Sequence, residues 1–205
     1  ACSSLLSENY PEAETELKPF MDYMLTRTID QQEELYTKTF DVQPICYLDL
    51  GYVIFGEDYK RGAFLLHMQG EQAAIKNDCG SDLPDNLANI LVLFAKSENQ
   101  RLLDDLAINI MVPGLTKMLG EFESARVNLK QQVLRKMHKA LITEELNHGN
   151  VYRNALHAML MVIEKDFKGR ESFVQAAETD YSIAGRESFF RKRTDIELEN
   201  NFKLD

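Results

Sequence analysis

The chain has 205 residues, 44% apolar and 27% charged, with a net charge of −10. That length suits one domain around a single core, and no apolar run approaches the roughly 20 residues needed to cross a bilayer, so stable membrane insertion is not expected. The acidic balance argues against nucleic acid and anionic membranes and suits a basic peptide or partner.

The charge is uneven. From Lys165 onward 8 basic and 9 acidic residues nearly cancel, leaving −9 on the first 164 residues. Cys2, Cys46 and Cys79 are odd in number and include no Cys-x-x-Cys, which fits a reducing compartment and predicts the cytoplasm. The opening Ala1–Cys2 is expected to mark a removed initiator methionine or a trimmed end rather than a lipidation site.

In chain order, helical signals dominate. Residues 12–30 carry a stripe of Leu17, Phe20, Met21, Met24 and Leu25, with Pro19 kinking or restarting the segment, and a short helix is predicted over Gln31–Phe40. Residues 42–56 are aromatic and β-branched and contain Pro44 and Gly51; with no partner strands elsewhere, they read as an apolar loop packed on helices. Helical periodicity returns over Glu57–Asn77, with Phe64, Leu65, Met68, Gln72 and Ile75 on one side. After the polar turn at residues 78–81 a helix carries Leu87, Ile90, Leu91 and Phe94. Arg101–Phe122 is helical but interrupted by Pro113–Gly114, which should kink or split it. Further helices are predicted over Leu129–Leu146, ending near Gly149, and over Tyr152–Ile163. These elements predict an all-α, single-domain helical bundle over residues 1–164. Residues 165–205 are sparse in apolar side chains and alternate in charge, so a mobile or partly packed tail is expected. Its Phe189-Phe190-Arg191-Lys192-Arg193 cluster reads as a solvated charge run, with a basic-aromatic docking segment as the alternative.

Three motifs stand out, each with an ordinary structural reading. In Asp82-Leu83-Pro84-Asp85-Asn86-Leu87, Asp82 suits a helix cap, Pro84 a first turn and Asp85 the third position of a capping box. In Tyr36-x-x-x-Phe40-Asp41 a spacing of four puts both rings on one helix face, with Asp41 available to anchor the turn. In Glu57-Asp58-Tyr59-Lys60-Arg61-Gly62, Glu57 and Arg61 suit a surface ion pair, and Gly62 suggests a close helix contact.

In this order and spacing the three motifs resemble the NarJ/TorD family of maturation chaperones for molybdenum oxidoreductases. The likeness runs from about Leu35 to Phe94, weakens to about Ile163 and stops before the tail. The family motif reads Glu-Leu-Pro-Asp-His-Leu or a close variant; Leu83, Pro84, Asp85 and Leu87 match, Asp82 replaces Glu, and Asn86 stands where His is usual. Asparagine donates and accepts hydrogen bonds but does not titrate near neutral pH, so a proton-dependent role at that spot is not expected. The resemblance implies a non-enzymatic protein without a cofactor of its own. Such a chaperone binds the N-terminal or leader peptide of a molybdenum oxidoreductase catalytic subunit and assists cofactor insertion before export or membrane docking. The expected peptide-binding residues are Asp82, Asp85 and Asn86 as polar contacts, Pro84 beside them, Tyr36 and Phe40 as an apolar wall, and Asp58 and Arg61.

Two rival readings carry their own signals. Glu145-x-x-His148 is the ligand pair of di-iron carboxylate bundles, but no other histidine has glutamate three residues before it. A helical interaction protein without chaperone activity is equally compatible with a chain that shows no phosphate loop, nucleophile elbow or His–Cys pairing.

Overall fold

A capping box sets the first sharp turn of the chain. The Thr28 hydroxyl accepts from the Gln31 N–H at 3.4 Å, and the Gln31 side chain accepts from the Thr28 N–H at 3.1 Å. Two amides that helix starts leave unpaired are thereby satisfied, and the chain turns from α2 (Pro11–Thr26) into α3 (Ile29–Phe40). These elements belong to a computed structural model that describes residues 2–42, 44–136 and 142–170, with side chains described outside Cys2 and residues 126–150.

The fold is all-α. A short α1 (Cys2–Asn9) precedes α2, and Pro19 sits within α2 on its solvent side, where water can reach the carbonyl it leaves without a donor. Residues 44–56 do pack on helices as predicted, but their second half coils into α4 (Leu50–Phe55). Lys117 closes the end of α4 by donating to the Val53 and Ile54 carbonyls at 3.4 and 3.3 Å. Then come α5 (Tyr59–Ala74) and α6 (Leu87–Lys96). The Pro113–Gly114 interruption splits the next segment: α7 (Gln100–Leu106) passes through a π-helical turn (Ala107–Met111) into α8 (Val112–Lys136). Proline cannot donate to the carbonyl four residues back and crowds it, and a π turn just before it absorbs the change of register. Gly114 has its own reason, since a Cβ there would lie 3.0 Å from Leu50 Cδ2, where α4 crosses.

The last helix, α9 (Ile142–Phe167), corrects two expectations. Gly149 lies inside it rather than at a helix end: an interior glycine costs only about 1 kcal/mol, and α9 packs along both α2 and α8. The helix also runs past residue 164. Phe167 meets Phe94 edge-on at 5.8 Å and Arg170 pairs with Asp104 at 2.8 Å, so the packed chain reaches at least Arg170. Residues 171–205, and with them most of the predicted tail, lie outside the described residues, as do the side chains of Glu145 and His148.

One core joins these elements. Leu50, Phe64, Met68, Ile90, Leu93, Leu106, Ile110, Met111, Leu115 and Met118 are fully buried in it, each worth about 1.5–3 kcal/mol relative to exposure. At its edge Phe20, Tyr36 and Phe40 gather around Tyr152, tying α2 and α3 to α9 through ring contacts of 4.8–6.3 Å. Among the described residues no strand forms, and no helix is long and apolar enough to cross a membrane.

Candidate functional site

The Leu83–Leu87 turn is the point on which several distant segments converge. Its helix begins later than the sequence suggests: α6 starts at Leu87, and the N-cap is Asn86, whose side-chain oxygen accepts from the Ala88 N–H at 3.1 Å. Asp82 caps nothing, and Pro84 and Asp85 precede the helix rather than opening it. Both Asp82 and Asn86 are good caps locally, and tertiary hydrogen bonds decide between them.

Those bonds come from a buried amide network. Gln72 on α5 donates to the carbonyls of Pro84 and Asn89 at 3.1 and 3.0 Å, and Asn89 donates to the Leu83 carbonyl at 3.0 Å. Asn77 completes the set, donating to Gln72 and Asn89 at 3.0 and 3.2 Å. Gln72, 2% exposed, sits on the apolar stripe of α5 yet anchors the turn by polar means. The turn is thereby held in a non-helical shape that satisfies its own backbone.

The other side of the turn is held by residues 48–51. The Leu87 N–H donates to the Leu48 carbonyl at 2.9 Å and the Leu50 N–H to the Asp85 carbonyl at 3.1 Å, an isolated antiparallel bridge between Asp49 and Asn86. Asp85 is wholly buried, and its Oδ2 accepts from the Gly51 N–H at 2.9 Å while Oδ1 has no hydrogen-bond partner. Burial raises the Asp85 carboxyl above its ordinary value and the Asp49 charge adds to this, against opposing contributions from the Gly51 N–H and Arg61. Expected as a direct peptide contact, Asp85 instead faces inward and shapes the turn. Gly51 must be glycine here, because a Cβ would meet Asp85 Oδ2 at 2.5 Å and Phe64 Cδ1 at 2.8 Å.

Asp49, which no motif pointed to, links two of the three motifs. Its Oδ1 accepts from the Asn86 amide at 3.3 Å and its Oδ2 lies 3.7 Å from Arg61 Nη2. The Arg61 guanidinium lies 5.0 Å from the centre of the Tyr52 ring, which in turn meets Tyr47 at 4.6 Å. The predicted Glu57–Arg61 pair therefore gives way to Asp49: Glu57 falls in the turn before α5 begins at Tyr59, where spacing of four no longer aligns side chains. Gly62 likewise has no close contact, and a Cβ there would meet nothing within 4 Å. Asp58 is the N-cap of α5, accepting from the Lys60 N–H at 2.9 Å. Asp41 ends α3, its N–H donating to the Thr37 carbonyl at 3.0 Å.

The third motif joins from α3. Tyr36 and Phe40 share a face, with ring centres 5.3 Å apart, and Tyr36 stays 44% exposed. Burial raises the Tyr36 phenol above its ordinary value, and the negative charges of Asp82, Asp41 and Asp49 raise it further. The charges of three carboxylates from separate segments thus act on the Tyr36 phenol. Beside it a cavity of about 340 Å³ opens between α2, α3 and α9, lined by Met24, Gln32, Glu33, Tyr36, Thr37 and Tyr152. Exposed Tyr47, Val42 and Leu83 add apolar area on the neighbouring loops. Such a surface offers burial to an apolar side chain and attraction to a cation beside it.

The buried thiol of Cys46 is no ready nucleophile, since burial, with the Glu121 charge adding, pushes it up to about 12. Among the described residues no group of three or more His, Cys, Asp or Glu side chains is placed to hold a metal ion. No family model, no curated protein and no solved structure matches the chain.

Proposed function

We propose that the protein is a cytoplasmic maturation chaperone of the NarJ/TorD kind, binding the N-terminal or leader peptide of a molybdenum oxidoreductase catalytic subunit. The observation that carries this reading is convergence. Three motifs spread over some fifty residues of sequence, each individually explicable by local structure, are linked in one region: Arg61 reaches Asn86 through Asp49, and the charges of Asp49 and Asp82 act on the Tyr36 phenol. Within this reading Tyr36 and the adjoining cavity take an apolar side chain of the peptide, and Asp41, Asp49 and Asp82 select basic residues beside it. Asp85, Asn86 and Pro84 hold the turn that presents Asp82, so they act on binding through shape. The protein itself performs no chemistry; holding the client keeps it open to cofactor insertion and delays export or docking.

Titration calorimetry with N-terminal peptides of molybdenum oxidoreductase catalytic subunits tests the reading. Wild type should bind at least one such peptide, and Tyr36→Ala should weaken it about 10- to 30-fold, the effect of a central aromatic anchor worth ~2 kcal/mol. Asp82→Asn should weaken it less, with the difference shrinking at high salt. A folded wild type that binds none of a broad peptide set, and that captures no molybdenum oxidoreductase subunit from anaerobic cells, would overturn the reading.

A further inference from the structure

Two buried polar atoms around the Leu83–Leu87 turn lack a hydrogen-bond partner, and they are complementary. Asp85 Oδ1 is an acceptor on a residue with no exposed surface. Arg61 Nε is a donor shut off from solvent. Interiors rarely leave such groups unpaired, because an unmade bond at a buried charged group is costly. The rest of the Arg61 head is loosely held. Its Nη2 lies 3.7 Å from Asp49 Oδ2, beyond hydrogen-bond distance, and the guanidinium lies 5.0 Å from the centre of the Tyr52 ring. Asp49 and Arg61 keep 28% and 24% of their side-chain surface exposed, so an incoming cation can reach the pair.

Both carboxylates belong to one junction. Asn86 donates to Asp49 Oδ1 at 3.3 Å, and its neighbour Asp85 accepts from the Gly51 N–H, two residues beyond Asp49, at 2.9 Å. We propose that Arg61 has two seats: Asp49, which it holds here, and Asp85 Oδ1, to which it moves when a cationic side chain of a bound peptide takes Asp49. Arg61 is then an internal competitor for the peptide's cation, and Asp85 is the acceptor that receives Arg61 once displaced. The proposal rests on the peptide-binding reading of this surface and deepens it. Charge balances through the exchange. Asp49 and Arg61 are the charged groups that act on the Asp85 carboxyl: burial and Asp49 favour its protonated form, while the Gly51 N–H, Arg61 and its own N–H favour the carboxylate. After the exchange the peptide cation pairs with Asp49 and Arg61 with Asp85, which gives any proton it held to solvent. A guanidinium bond favours the ionised form, so binding lowers the Asp85 pKa and releases at most about one proton, in the pH range between the two values.

The test begins without a ligand, on the isotope-labelled full chain, observing the Arg61 Nε–H resonance. Asp49→Asn keeps an acceptor for the Asn86 amide and Asp85→Asn keeps one for the Gly51 N–H, so both variants retain the bonds of the turn. Asp49→Asn should shift the Arg61 Nε–H resonance downfield and slow its exchange with solvent about tenfold; both effects should disappear in Asp49→Asn/Asp85→Asn. Acetyl-arginine amide added to wild type should reproduce the shift, with proton release measured by calorimetry in buffers of different ionisation heat and lost in Asp85→Asn. Arg61→Gln should bind this probe about 2- to 5-fold more tightly, the competition of a partly exposed ion pair having been removed. An Arg61 resonance unmoved by Asp49→Asn, moved equally when Asp85 is also asparagine, or unmoved by the probe overturns the proposal. Client peptides that bind without moving Arg61 overturn it too and leave the chaperone reading standing. Movement with the probe while no client peptide binds sustains the exchange and removes the chaperone reading.

Discussion

Replacing Gly51 by alanine is the sharpest perturbation of the turn, because helix propensity and packing predict opposite signs. Gly51 lies in α4, so alanine should gain about 0.5–1 kcal/mol by propensity alone. The added Cβ, however, would stand 2.5 Å from Asp85 Oδ2 and 2.8 Å from Phe64 Cδ1, whereas ordinary contact begins at 3.4 Å. The carboxylate would have to withdraw by about 0.9 Å in a site with no exposed surface, lengthening the 2.9 Å bond from the Gly51 N–H. Overpacking costs typically ~1–3 kcal/mol, and weakening a bond to a buried charged group adds part of ~1.5–3 kcal/mol. The expected net loss is about 2–3 kcal/mol, read as a lower urea midpoint at unchanged slope and a Tm lower by roughly 4–12 °C for a domain of this size. Gly62→Ala is the control: that glycine is exposed inside α5 with nothing within 4 Å of the new Cβ, so the change should stabilise by up to ~1 kcal/mol. Should Gly51→Ala leave stability within ~0.5 kcal/mol of wild type or raise it, the packing of Asp85 against α4 described above is wrong.

Asp85→Asn tests the buried carboxyl. A carboxyl whose folded-state pKa lies above its ordinary 3.8 contributes stability that is complete below that value and is lost as pH rises through the raised one. Urea melts from pH 3.5 to 8 should therefore show the stability difference moving in favour of the asparagine variant as pH increases; a flat difference or the reverse slope contradicts the assignment. Asn86→Ala should cost about 1 kcal/mol by removing the α6 cap, and Asn86→Ser should recover most of it; equal losses in both would point to the Asp49 contact instead. Asn89→Leu should cost roughly 1–3 kcal/mol by removing two hydrogen bonds of the network, to the Leu83 carbonyl and from the Asn77 amide, which keep only the Asn86 N–H and Gln72 as partners. Hydrogen exchange at Leu87 and Ala88 should accelerate with it, and unchanged exchange would mean the network does not hold the turn.

Much of the helical framework is readable from local pattern. The stripe of α5 follows its apolar spacing, and that of α2 does so except at Leu25, which is 80% exposed, because an amphipathic helix writes its buried face into consecutive residues. The same spacing rule misleads where tertiary contacts outvote it. Leu91 lies on the predicted stripe of α6 yet remains 36% exposed, whereas Asn89 is buried to serve the Gln72 network. The break expected near Gly149 is absent because packing against α2 and α8 outweighs one glycine.

By itself the sequence determined that this is an acidic, all-α chain whose helices are set by local apolar spacing. Each of those facts is carried by composition or by residues within a few turns of one another. Which residue caps α6, why Gly51 is glycine, and that Asp85 faces inward were decided only by the tertiary structure. The reason is physical: Asp82 and Asn86 are near-equal caps, and a choice between near-equal local minima passes to hydrogen bonds from Gln72, Asn89 and Gly51, which no local window contains.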